Sequence, residues 1–516
     1  MWGCFIRNGP QMRVLCIQLS FHEEYRDAGA LASTYNDGIY YIASFLQDAF
    51  PGICIDMCQM FWGERPQEFP LETYDYILIS CLATMYWSNL NVLDEIKRRK
   101  NPTCHIVFGG PHASFAPQEV LQYGDWAILG EGEYPIVQLI QALESGDSVD
   151  SVENLCYMGA DNRLVINKTS HYSAITNKIN PALLRSSRRG RIQWAAVSMS
   201  RGCPFSCSFC YSIRILGRQF RPKDAGMIRE ELQGIQQEIG SRRFYVSDIN
   251  FATNKHFCHS VADAVRDLGY KYIAMTRIEL ADDRDLMRDL KSAGFEEYYI
   301  GVESEKPNVL NTFNKRCDVS RQQERLLKFA DEDIYVQSGI MFGLEFQDID
   351  AINHSARWCA EARITHPVFM CLAEYPFQKV LFGAHQDVED YRIIIGGPTY
   401  QHYSYVGIFP RHMRPSVLQR KILEAYDVFF ERAFEIETRP QRRMRLKNHA
   451  RCVQPGNEGM LKHIRHLEKI ETPYYTPAGT LREDVLRNDF EERYGKLRDQ
   501  LSQAVRHEPA TLAYQV

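Results

Sequence analysis

Three cysteines crowd one short stretch of this chain, Cys203, Cys207 and Cys210 in "SRGCPFSCSFCYS". Thiolates are soft ligands, and a C-x3-C-x2-C loop suits iron or zinc. A closed zinc site needs a fourth ligand, usually from a second paired motif. His256 and Cys258 in "NKHFCHS" stand nearby in number, without a matching pair. A [4Fe–4S] cluster also ordinarily takes four cysteines, so three leave one iron open. An open coordination position is the mark of catalysis rather than scaffolding.

The elements that must position these thiols follow from the hydrophobic pattern. The loop comes after the strand-like "WAAVSMS" and opens a block that alternates strand and helix to about residue 375. Its further strand candidates are "RFYVSDINF", "KYIAMTRI", "EYYIGVES", "YVQSGIMFGLE" and "VFMCLAEYPF". Helical stretches such as "AGMIREELQGIQQEIG" and "DRDLMRDLKSAG" lie between them. Six strands, each followed by a helix, predict a partial (β/α)6 barrel with its chemistry at the C-terminal strand ends.

An earlier block, 12–145, also alternates. "RVLCIQL", "ICIDMC", "YDYILISC", "CHIVFGG" and "DWAILGEGE" read as strands, which predicts a doubly wound, Rossmann-like parallel sheet. Two strand exits are glycine-rich: "VFGGPHAS" with Gly109 and Gly110, and "ILGEGEYP" with Gly130, Glu131 and Gly132. They let backbone approach a large flat ligand at the carboxyl ends of the sheet, where open α/β folds bind. Phosphate-loop patterns are missing, so a nucleotide site is not expected. Residues 146–192 read as a linker ending in the solvated basic run "RSSRRGR", the barrel as 193–400, and 401–516 as a mainly helical domain used for packing.

Composition is that of an ordinary globular protein, with 45% hydrophobic and 24% charged residues and a formal net charge of −5. This balance argues against a dedicated nucleic-acid binder, and no nucleic-acid partner is expected. No apolar run is long enough for a membrane helix, and the first residues lack the order of a signal peptide, so no membrane partner and a cytoplasmic location are expected. In that compartment Cys4, Cys16, Cys54, Cys58, Cys81, Cys104 and Cys156 read as buried free thiols.

The loop "RGCPFSCSFCYS" resembles the cluster loop of the radical S-adenosylmethionine (SAM) enzymes. The resemblance implies a [4Fe–4S] cluster on Cys203, Cys207 and Cys210, with SAM chelated to the open iron and cleaved to a 5′-deoxyadenosyl radical. It further implies SAM contacts from Phe209 beside the adenine, from Asp248 and Asn250 in "YVSDINF", and from Arg277 in "TRIEL". Glu303 and Ser304 in "YIGVES" and Gly343 in "GIMFGLE" complete that set.

A glycine-rich α/β block placed ahead of such a barrel is similar to the cobalamin-binding domain of class B radical SAM methylases. That implies cobalamin as a cofactor, with Ser80, Thr84, Gly109, Gly110, His112, Gly130 and Glu131 near it. The "DxHxxG" motif that ligates cobalt in other cobalamin domains is absent here, and neither His22 nor His112 stands in its context. The expected activity is methylation of an unactivated carbon in a small biosynthetic intermediate, with an external electron donor of the flavodoxin or ferredoxin type. Other radical outcomes, a vestigial cobalamin domain and a non-catalytic iron–sulfur or corrinoid protein remain the alternatives.

Overall fold

The computed structural model describes residues 11–19, 37–60, 69–172, 175, 177–186, 194–343, 349–372, 389–394 and 405–504. The first sheet is built from β1 (Arg13–Leu19), β2 (Cys54–Met60), β3 (Tyr76–Ser80), β4 (His105–Gly109), β5 (Trp126–Ile128), β6 (Leu155–Met158) and β7 (Leu164–Ile166). Its strand order is β2-β1-β3-β4-β5-β6-β7, and the first five strands are parallel. Every residue of β3 is buried, as a sheet covered on both faces requires. The helix Asp37–Ala49 supplies part of that cover, burying Ile39, Tyr40, Ala43 and Leu46 at helical spacing.

β6 and β7 add antiparallel to the far edge. Part of the segment expected to be a linker therefore extends the first sheet, pairing backbone groups of β5 that an open edge would expose.

The second sheet comprises β8 (Ala195–Val197), β11 (Arg243–Val246), β12 (Lys271–Thr276), β13 (Phe295–Glu303), β14 (Tyr335–Phe342) and β15 (His366–Cys371), all parallel and in sequence order. It is the expected six-stranded partial barrel. Between β8 and β11 lie two short strands, β9 (Ser200–Arg201) and β10 (Arg221–Pro222). Asp224 caps the helix Ala225–Ile239 by accepting from the Met227 N–H at 3.0 Å, and that helix returns the chain to β11.

The C-terminal segment is helical: Pro415–Ile436, Pro440–Ile470 and Glu483–Ala504. The first of these covers β15, the outer strand of the barrel. The Tyr426 hydroxyl accepts from the Phe369 N–H at 3.2 Å, and the two rings stand 4.8 Å apart. Among the described residues no helix is long and apolar enough to cross a membrane.

Cys16, Cys58, Cys81, Cys104 and Cys156 are buried free thiols. Cys54 is disulfide-bonded, a correction to the reading of it as free that no cysteine spacing announces. Cys4 lies outside the described residues.

Candidate active site

β8 delivers the chain to the site. Just beyond it, Ser200–Arg201 pairs antiparallel with Arg221–Pro222 and closes the neck of the cysteine loop. A Cβ on Gly202 would lie 2.0 Å from the Gln219 carbonyl oxygen, so only glycine fits there. Within the loop, Cys203 N–H donates to the Gly217 carbonyl at 3.2 Å and Cys210 N–H to the Cys207 carbonyl at 3.1 Å. Ser208 N–H donates to the Phe313 carbonyl at 2.9 Å, tying the loop to chain beyond β13.

Burial disfavours the charged thiolates, and nearby cations and N–H groups partly offset it. Burial pushes Cys207 up, opposed by the Lys315 and Arg277 cations. Burial pushes Cys210 up to about 11, opposed by the N–H groups of Ile213 and Ser212 at the next helix start. Both feel repulsion from neighbouring loop cysteines, so the three sulfurs share one site. The Asn250 amide faces Cys203 at 3.8 Å, and an Arg277 N–H faces Cys207 at 4.0 Å. Among the described residues no group of three His, Cys, Asp or Glu side chains gathers tightly enough for one metal ion. A four-iron cluster binds each thiolate through a different iron, so its ligands stand apart around a larger body. Three thiols, two cations and an amide donor fit such a group.

The residues expected around SAM divide into two groups. Asn250, Arg277, Phe209 and Glu303 gather at the cysteine loop. The Asn250 side-chain oxygen accepts from the Arg277 N–H at 3.3 Å. The Arg277 guanidinium lies over the Phe205 ring at 3.9 Å and makes two 3.0 Å bonds to Glu279. Phe209 packs on Phe313 with ring centres 5.0 Å apart. Glu303, at φ 64, accepts from Lys315 Nζ at 2.9 Å.

The other three are engaged elsewhere. Asp248 is fully buried and accepts from the Met199 N–H at 2.7 Å and from the Ser200 hydroxyl, so it clamps the turn at the foot of the loop. Burial raises its carboxyl to about 6. The Ser304 hydroxyl accepts from the Lys306 N–H at 3.1 Å, a local turn contact. Gly343 faces Cys371 and Ile408, within the packing of β15 and the chain that follows.

An open cleft lies between the two sheets. Its first wall is the carboxyl end of the first sheet, with Ser80, Gly109, Gly110, Gly130 and Glu131. Its second wall is the cysteine-loop region, with Ser200, Arg201, Ile215 and Leu216. A Cβ on Gly109 would meet nothing of the protein within 4 Å, so the missing side chain keeps space for a ligand rather than for packing. The Ser114 hydroxyl donates to the Gly110 carbonyl and accepts from the Gly130 N–H, both at 2.9 Å, joining the two glycine turns. An open cleft with a glycine-lined wall at the strand ends fits a broad, flat cofactor.

Two expected cobalamin contacts sit differently. His112 is fully buried away from the cleft, 4.4 Å from the Tyr86 ring and 3.0 Å from Glu119. It follows the glycine turn into the short helix Gly110–Phe115, whose buried face it joins. Glu131 lines the cleft, but its carboxylate is engaged by Arg201 and Arg221. Thr84 falls in the helix Ala83–Ser88, and its side chain lies outside the described residues. None of the described residues lining the cleft is a histidine.

Sequence reasoning missed Lys315, Arg201, Arg221 and Glu133. Lys315 stands in "FNKRC", which carries no motif. The "EGE" beside Gly130 shows two acids, and only the fold reveals their partners.

The Radical SAM superfamily model matches residues 197–359, and the B12 binding domain model matches residues 31–140. The chain is 23% identical to the anaerobic magnesium-protoporphyrin IX monomethyl ester cyclase of Cereibacter sphaeroides, over 62% of this chain and 53% of that one. It is 21% identical to the bacteriochlorophyllide d C-8(2)-methyltransferase of Chlorobaculum tepidum, over 68% of this chain and 77% of that one. The fold is shared with the cobalamin-dependent S-adenosylmethionine radical enzyme OxsB, solved with aqua-cobalamin and SAM bound. The TM-score is 0.58 at 17% identity, covering 69% of this chain and 53% of that one. The chain thus spans about half the length of that cyclase and of OxsB.

Proposed function

Because this chain is a radical SAM protein with a B12-binding domain ahead of its radical SAM domain, its cofactors being a [4Fe–4S] cluster, SAM and cobalamin, we propose that it methylates an unactivated carbon of a small biosynthetic intermediate. The observation that carries this reading is a cleft whose walls are the glycine-rich ends of the first sheet and the two legs of the cysteine loop, at Ser200 and Arg201 and at Ile215 and Leu216. A methyl donor and a radical source must reach the same substrate carbon, and a cofactor wall set against the legs of the cysteine loop meets that demand. The bacteriochlorophyllide methyltransferase relative supports the same outcome.

Bound there, the cofactors supply a carbon-centred radical able to remove hydrogen and a methyl group for the carbon left behind. The chain's own residues hold and orient them. Cys203, Cys207 and Cys210 hold the cluster. Arg277, already steadied by Glu279, offers further N–H groups to the SAM carboxylate. Asn250, Phe209 and Glu303 surround the rest of SAM, and Ser80, Gly109, Gly110 and Gly130 cradle cobalamin. The cleft admits a small molecule. An external donor of the flavodoxin or ferredoxin type supplies the electron. A cyclisation is the second reading, favoured by the likeness to the magnesium-protoporphyrin ester cyclase.

The test uses protein produced anaerobically with hydroxocobalamin, then reduced chemically in the presence of SAM alone. Methylation predicts about one S-adenosylhomocysteine per bound corrinoid before any substrate is added. Release of 5′-deoxyadenosine without S-adenosylhomocysteine overturns the methylation reading and selects the second. Iron and sulfide with no bound cobalamin overturn both.

A further inference from the structure

Four charged side chains are buried where the two sheets meet. Glu131 and Glu133 follow β5 of the first sheet; Arg201 and Arg221 flank the cysteine loop in β9 and β10. Arg201 donates to Glu131 at 2.9 Å and to Glu133 at 2.6 Å. Arg221 donates to both oxygens of Glu131, at 3.1 and 2.8 Å. It also donates to the carbonyls of Tyr172 and Leu216, at 2.6 and 2.5 Å. The side chains of Arg221 and Glu131 are only 3% and 2% exposed. Burial by itself pushes the Glu133 carboxyl up; the Arg201 guanidinium outweighs it and holds the group ionised, below the ordinary range.

We propose that this quartet is a positioning device which sets the cobalamin-facing wall against the cysteine loop, with Glu131 at its centre. The inference rests on cobalamin lying in the cleft beside the cysteine loop, whichever group is transferred. Glu131 is placed to do this because Gly130, its neighbour, lines the cleft and approaches the loop: a Cβ there would lie 3.3 Å from the Ile215 carbonyl. On the other side, Arg201 precedes Gly202 and Cys203, while Arg221 holds Leu216 at the end of the loop helix. One carboxylate therefore grips both legs of the loop at once.

Stability alone does not explain such a choice. Burying four charges costs desolvation that apolar side chains would avoid, so a buried ion network contributes more to a defined arrangement than to net stability. Two cofactors acting on one carbon need that definition, since a misplacement of about 1 Å can cost about a hundredfold in rate. The bonds are directional: one Arg221 nitrogen faces both Glu131 oxygens while the other holds the Leu216 carbonyl.

The test compares Glu131→Gln, Glu131→Asp and Glu230→Gln in protein carrying cluster and cobalamin. Glu230 forms an exposed pair with Lys178 and controls for loss of an ordinary ion pair. Glu131→Gln is expected to keep wild-type iron and cobalt contents while amide hydrogen exchange over 202–217 quickens about tenfold or more. Magnetic interaction between cob(II)alamin and the reduced cluster is expected to broaden or weaken in parallel. Glu131→Asp recovers part of both signals, and Glu230→Gln changes neither. Unchanged exchange and unchanged magnetic interaction in Glu131→Gln overturn the proposal. So does loss of cobalt with unchanged loop exchange, because Glu131 is then a cobalamin contact. If Glu131→Gln does not fold, Glu133→Gln replaces it; that variant loses the negative charge facing Arg201, and unaltered exchange at residues 200–203 overturns the proposal. None of these readouts depends on S-adenosylhomocysteine, so failure of the methylation reading leaves them intact.

Discussion

Glu297 and Glu303 lie on the same strand, β13, and serve opposite ends of the barrel. At the amino end, Glu297 accepts from the Gln337 amide at 2.8 Å and has Arg445 at 3.3 Å and His366 at 3.6 Å. His366 and His449 stand 4.9 Å apart beside it. Arg445 and His449 come from the helix Pro440–Ile470, so the C-terminal segment completes this end. At the carboxyl end, Glu303 takes a left-handed backbone, a costly conformation for a residue with a side chain. Its ion partner, Lys315, also donates to the Gly301 carbonyl at 2.6 Å and lies near the Phe209 ring. The amino end spends its charges on itself. The carboxyl end keeps strain and directs cations at thiols, as expected where a barrel does its chemistry.

The sharpest break in this symmetry is at the cysteines. Cys207→Ala is expected to lower iron from about four per chain to near zero and to abolish SAM cleavage, with thermal stability nearly unchanged because Cys207 is only half-buried. Iron and sulfide analysis checks this, and retained iron defeats the three-thiol assignment.

Next in size is the contrast between the glutamates. Lys315→Met leaves the Glu303 carboxylate buried without its ion partner, an expected loss of about 3–5 kcal/mol in denaturant unfolding. Adding Glu303→Gln restores most of that stability while SAM binding stays weakened. Glu297→Gln is expected to cost only about 1–2 kcal/mol and to leave SAM binding as it was. Equal effects of the two glutamates on SAM binding would erase the distinction between the ends.

A further contrast lies in pH dependence, where the effects have opposite signs. Burial lowers both His366 and His449 from 6.5 to about 3. Their contribution is whole above pH 6.5 and is lost as pH falls towards 3. Burial raises Asp248 from 3.8 to about 6, so its contribution is whole below pH 3.8 and is lost as pH rises through 6. Unfolding measured across pH 3.5–7 is expected to show His449→Gln flattening the acid-side loss and Asp248→Asn flattening the loss towards neutrality. A variant that leaves its slope unchanged removes its residue from this account.

Much of this arrangement was legible residue by residue. The cysteine loop is local, so its spacing alone identified a metal loop with an open position. Both α/β sheets followed from strand–helix alternation. Of the residues expected at strand ends, Asn250, Arg277 and Glu303 stand beside the cysteine loop while Asp248, Ser304 and Gly343 make other contacts, because a strand end locates a residue without saying what it bonds. Asp248 turned to the loop's foot, Ser304 to its own turn, and Gly343 to the packing around β15.

The amino-acid sequence by itself determined the spacing of the three cysteines, the two α/β blocks and their order, because each depends on neighbours a few positions apart. Tertiary structure alone decided the pairing of Glu303 with Lys315, the burial of His112 away from the cleft, and the capture of Glu131 by Arg201 and Arg221. These contacts join residues far apart in the chain. A buried charge takes whichever partner the fold brings within hydrogen-bond reach, and no spacing rule carries that information.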